Sequence, residues 1–129
     1  LSTVRAVRKN FADDYSLLQT EAAILTELGR VEEGVALIKN LIKQKSSVPS
    51  AFYDDFINYH FISGLYLQAK NPKKAIANAR KAYTLAQSND VRKQLANLLL
   101  ANAQHLSGNY QLAESTLRGI LKQTPDNPI

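Results

Sequence analysis

No cysteine occurs in the 129 residues, so disulfides and any cysteine-ligated zinc or iron–sulfur site are excluded, and the redox compartment stays open. No apolar run approaches the roughly 20 residues that cross a bilayer, and no positively charged start leads into an apolar signal-peptide core. Glycine-rich phosphate loops are missing as well: Gly29 and Gly108 stand at turns and Gly119 is isolated within a helical stretch. Histidine is restricted to His60 and His105, neither with a serine or aspartate at a recognisable catalytic spacing. Their expected positions lie roughly 10 Å apart along the fold, about two helical turns, which is too far to share a metal. The acidic pairs Asp13-Asp14, Glu32-Glu33 and Asp54-Asp55 fall in or near first helical turns, where capping and dipole effects account for them without acid–base chemistry. These absences point away from an enzyme, a cofactor and a metal centre.

What is present suits one soluble domain. A chain of this length buries roughly two thirds of its unfolded surface without needing a staple. It begins at Leu1 without an initiator methionine and stops at Ile129 just after a repeat-closing signal, so it reads as a piece of a longer protein. Either cytoplasm or periplasm suits it.

Punctuation divides the chain into about seven helices. Ser2 to Asn10 forms a short first helix, and Asp13 caps a second that runs through Leu18, Ala22 and Leu25 to the stop at Gly29. Val31 to Lys43 follows, with Glu32 and Glu33 in its first turn and lysines toward its end. Ser46 to Ser50 is the clearest loop, and Ser50 is the expected cap of a long helix from Ala51 to about Lys70. Asn71 caps a fifth helix with Pro72 at its first position, running to about Gln87. Asn89 or Asp90 opens a sixth, ending near Ser107 and Gly108, and Asn109 opens the last, ending before Pro125. No segment alternates as a strand does, so the fold class is all-α.

A repeat emerges when the helices are aligned. Ala113, Leu117, Ile120 and Leu121 share the i, i+4, i+7, i+8 spacing of Ala75, Ala79, Ala82 and Tyr83, and of Gly34, Ile38, Leu41 and Ile42. Each such helix follows one with a second stripe: Leu18, Ala22, Leu25; Tyr59, Ile62, Ser63, Tyr66; Leu100, Ala101, Ala103. Ala22, Ser63 and Ala101 are then expected to face Gly34, Ala75 and Ala113. Small residues on both sides let two antiparallel helices approach closely.

The run Tyr59-x2-Ile62-Ser63-x2-Tyr66 followed by Ala75-x3-Ala79, and Leu100-Ala101, Ala113-x3-Leu117 and Pro125 in the last copy, resembles the tetratricopeptide repeat. That unit of about 34 residues is signed by W-x2-L-G-x2-Y, then A-x3-F, then P. The copies fall at residues 15–48, 56–89 and 94–127, with residues 1–12 as the second helix of a truncated preceding unit. The resemblance implies a right-handed α-solenoid of antiparallel helix pairs spanning residues 1–129. Asn97 and Gln104 depart from it, standing at the two large-aromatic positions of the last copy.

Function in such solenoids usually sits on the concave face, lined by the first helix of each unit. The family's groove register points to Gln19, Ala23, Thr26 and Glu27, to His60, Gly64, Leu67 and Gln68, and to Leu98, Asn102, His105 and Leu106. The family's carboxylate clamp of lysine, asparagine and arginine is missing, since Gln19, Ala23, Phe61, Leu95 and Leu99 take those positions. The expectation is a non-catalytic scaffold that holds a peptide or protein segment offering apolar side chains. The bland reading is that Leu95, Leu98, Leu99 and Leu106 are covered by a neighbouring helix.

The net charge of +5 supports an alternative. Arg5, Arg8 and Lys9 cluster at the front, and Lys70, Lys73, Lys74, Arg80 and Lys81 gather around the fifth helix, where no acid occurs from Pro72 to Gln87. Such a stripe can contact nucleic acid or an anionic surface. No base-stacking aromatics are interleaved with it, so nucleic acid is the disfavoured partner. A sensor domain of a regulator, or an accessory domain of an envelope assembly protein, has the same appearance.

Overall fold

The computed structural model of the chain describes residues 1–5, 15–43 and 54–123. Residues 2–5 are helical and form α1, followed by α2 (Tyr15–Glu27), α3 (Val31–Lys43), α4 (Asp55–Gln68), α5 (Pro72–Leu85), α6 (Asp90–Leu106) and α7 (Tyr110–Gln123). No strand occurs among the described residues, so the all-α expectation holds. None of the described helices is long and apolar enough to cross a membrane. The expected cap at Asp13, the loop from Ser46 to Ser50 and the stop at Pro125 lie outside the described residues.

Local chemistry sets most of the helix ends. Asn71 accepts the amide of Lys74 at 3.2 Å with Pro72 in the first turn, and Asn89 accepts the amide of Arg92 at 3.0 Å. The start expected at Ala51 is corrected to Asp55. Asp54 is extended (φ −145°, ψ 108°) and accepts the amide of Ile57 at 3.2 Å, which makes it the cap of α4, while the cap expected at Ser50 lies outside the described residues. Asp54 holds this role because Arg92, from α6, clamps its carboxylate through bonds of 3.1 and 2.8 Å.

The three α-hairpin turns share one backbone solution. Gly29, Lys70 and Gly108 all have positive φ, and in each case the next amide reaches back to a carbonyl in the preceding helix. The bonds run from Arg30 to Leu25, from Asn71 to Tyr66 and from Asn109 to Gln104. This is the C-terminal motif that favours glycine. Lys70 occupies the glycine place at φ 58°, a conformation unfavourable to a side chain with a Cβ. The helix expected to end near Gln87 ends at Leu85, because Gln87 turns left-handed at φ 53°.

Within the first two hairpins the small residues meet as the spacing predicts, and in the third both are buried. Gly34 lies against the backbone of Ala22, Ser63 donates its hydroxyl to the Ala75 carbonyl at 2.8 Å, and Ala101 and Ala113 are both buried. Successive hairpins stack through one core of Leu18, Ala22, Val35, Ile38, Ile62, Leu65, Tyr66, Ala75 and Ala103, and a second of Phe56, Ala82, Ala86 and Ala96. Polar ties cross the same joints. Glu32 of α3 accepts the Tyr66 hydroxyl at 3.0 Å and pairs with Lys74 at 2.9 Å, and the Tyr15 hydroxyl donates to the Asn58 side-chain carbonyl. Burial and the neighbouring Glu32 carboxylate push the Tyr66 phenol up to about 12. At the front, Arg5 donates to the buried carboxylate of Glu21 at 2.8 Å.

Candidate functional site

Helices α2, α4 and α6 lie side by side, since α4 packs against α2 and α6 as well as against α3 and α5. The alternate helices α3, α5 and α7 pack onto one side of that row. Among the described residues nothing covers the opposite side of α6, and that of α4 is partly exposed. On α6 it carries Val91, Leu95, Leu98, Asn102 and Leu106, at the i, i+4, i+7, i+11, i+15 spacing of one helical face. Val91 is 67% exposed, and Leu95, Leu98 and Leu106 are each exposed by two fifths or more. On α4 the same side carries Ile57, His60, Gly64 and Gln68, with Phe61 at its edge packed against the main core.

The residues expected to line a groove are divided by this geometry. His60, Gly64 and Gln68 share a face of α4, Leu98, Asn102 and Leu106 share a face of α6, and Gln19, Ala23 and Glu27 have the same spacing on α2. Gly64 opens a shallow place in the wall, because a Cβ there would meet nothing within 4 Å. His60 stacks on Phe56 with ring centroids 5.6 Å apart, and burial lowers its pKa. Its neutral form is therefore favoured. His105 is exposed and meets the Tyr110 ring edge-on at 5.0 Å.

Two of the expected groove residues also pack inward. Thr26 is buried and its hydroxyl donates to the Ala22 carbonyl at 2.9 Å, so it belongs to hairpin packing rather than to an accessible groove. Leu67 is partly buried against the main core. Conversely, the covering of Leu95, Leu98 and Leu106 by a neighbouring helix does not occur among the described residues. Ile57 and Val91 were missed, although their spacing from His60, Gly64, Leu95 and Leu98 signals the shared face.

Among the described residues no group of three or more His, Asp or Glu is placed to hold a metal. No family model, curated protein sequence or solved structure matches the chain.

Proposed function

We propose that the chain is a non-catalytic interaction module of tetratricopeptide type, and that the row α2, α4, α6 receives a peptide or protein segment. The supporting observation is the uncovered apolar stripe of α6, Val91, Leu95, Leu98 and Leu106, beside the glycine-opened face of α4. Such an exposed stripe loses apolar hydration when covered, so it gains most from an occupant with apolar side chains. Asn102, Gln68 and His60 supply hydrogen-bonding groups along the same row, which suits a peptide backbone better than a phosphate chain.

The test is affinity capture by the purified chain, compared with the double variant Leu95→Asp, Leu98→Asp. Both positions are exposed, so the variant should keep its helical circular dichroism. Capture should be lost. Equal capture of the same bound chains by both proteins would remove the assignment.

A further inference from the structure

On the other side of α6, α5 and α6 enclose an open cleft of about 320 Å³ lined by Ala79, Arg80, Tyr83, Thr84, Asn97 and Leu100. At about 100° per residue, Asn97 and Leu100 stand roughly opposite Leu95 and Leu98 on the α6 surface. The cleft has a cause in the repeat itself. At the matching joint between α3 and α4, the places of Ala79 and Asn97 belong to Ile38 and Tyr59. Ile38 is fully buried and Tyr59 packs against both core clusters. A methyl and a short amide thus stand where a branched chain and a phenol ring fill the earlier joint.

The lining has two chemical zones. Ala79, Leu100 and the Tyr83 ring make an apolar floor. Two cations border it: Arg80 is exposed, and the Lys93 ammonium lies 6.0 Å from the Tyr83 ring centroid, with Asp90 one turn before Lys93 as the nearest acid in the sequence of α6. Lys73 sits on the same face of α5 as Arg80, seven residues earlier. No acidic residue occurs in α5, and neither Lys73, Arg80 nor Lys93 forms an ion pair among the described residues.

We propose that this cleft binds an acidic peptide segment, which inserts one bulky apolar side chain between Tyr83 and Leu100 while its carboxylates meet Arg80, Lys93 and Lys73. The volume suits one large side chain, being at the lower edge of the several hundred Å³ typical of small-molecule sites. Lys73 and Arg80 are about 10 Å apart along the α5 axis. That distance corresponds to about three residues of extended chain, so carboxylates flanking the anchor reach both cations. The site is separate from the α6 stripe, and Leu95→Asp with Leu98→Asp leaves it intact.

The experiment is fluorescence anisotropy with a labelled peptide holding a central Phe between Glu residues spaced about three positions apart. The comparison peptide has Ala in place of Phe. The native chain should bind the Phe peptide about tenfold more tightly. Asn97→Tyr and Ala79→Ile should erase that preference with helicity unchanged, since the same side chains fill the preceding joint. Arg80→Glu should weaken both peptides, and so should raised ionic strength. Equal binding of the two peptides to the native chain overturns the proposal, as does a Phe preference that survives filling the cleft. Shifts of the Ala79 and Leu100 methyl resonances on adding the Phe peptide test the site without any variant, and their absence overturns it. A single-stranded oligonucleotide that shifts those methyls where the peptide does not also overturns it.

Discussion

A Cβ placed on Gly34 would stand 2.6 Å from the carbonyl oxygen of Ala22 and 3.3 Å from its Cα. Both atoms are backbone, so neither can swing aside. Gly34→Ala gains about 1 kcal/mol of helix propensity but forces α2 and α3 apart, at a cost of the 1–3 kcal/mol or more typical of overpacking. The expected outcome is a net loss of roughly 1–2 kcal/mol, read from the urea midpoint. An unchanged or raised midpoint would show that the hairpin tolerates a wider separation.

Asp54 ties two hairpins together, capping α4 while clamped by Arg92. The Arg92 guanidinium, above all, holds its carboxyl below the usual range. The depressed value makes its contribution fully present above the unfolded value of about 3.9 and progressively lost as pH falls through the folded value. Asp54→Ala should cost about 2 kcal/mol near neutral pH, through the cap and a pair that is a third exposed. Asp54→Asn should flatten the acid limb of a stability–pH curve. An acid limb identical to that of the native chain would assign the dependence to other carboxylates.

Lys70 adopts φ 58° where the equivalent turns carry Gly29 and Gly108. Its side chain is exposed and is not needed for the turn's hydrogen bonds. Lys70→Gly should therefore stabilise the chain by about 0.5–1 kcal/mol, with relief of the left-handed strain partly offset by the greater entropy of unfolded glycine. Thermal melting of the variant checks the sign.

Ile62 is fully buried in the main core, whereas Leu98 is 43% exposed on the open face of α6. Ile62→Ala should cost about 3 kcal/mol, through lost burial and the cavity left behind. Leu98→Ala should cost under about 1 kcal/mol. Chemical denaturation of the pair measures both. Similar losses would mean that the stripe is covered in solution.

Much of the hairpin architecture was readable from spacing. Ala22 with Gly34, Ser63 with Ala75, and Ala101 with Ala113 follow from helical periodicity, because it fixes which residues share a face before any partner is chosen. The caps at Asn71 and Asn89 were legible because a cap acts within one turn. The start of α4 was not, since Asp54 is held by Arg92, 38 residues away. The groove residues were only partly legible. Thr26 was misassigned because the resemblance placed it on an accessible face, whereas its hydroxyl is directed back to the Ala22 carbonyl within α2.

The contrast is clearest at one repeated position. Ile38, Ala79 and Leu117 have the same spacing from a small residue, and from the sequence all three are packing residues. In the folded chain Ile38 and Ala79 are buried, while Leu117 is 42% exposed. Local periodicity alone determined the all-α class, the hairpin partners and the faces on which apolar side chains fall, because these depend on contacts within a few residues. Only the tertiary structure decided which faces are covered, where Asn97 and Ala79 leave a cleft, and which stripe remains open. Burial belongs to the neighbour that supplies the other half of the contact, and a residue's own spacing carries no record of it.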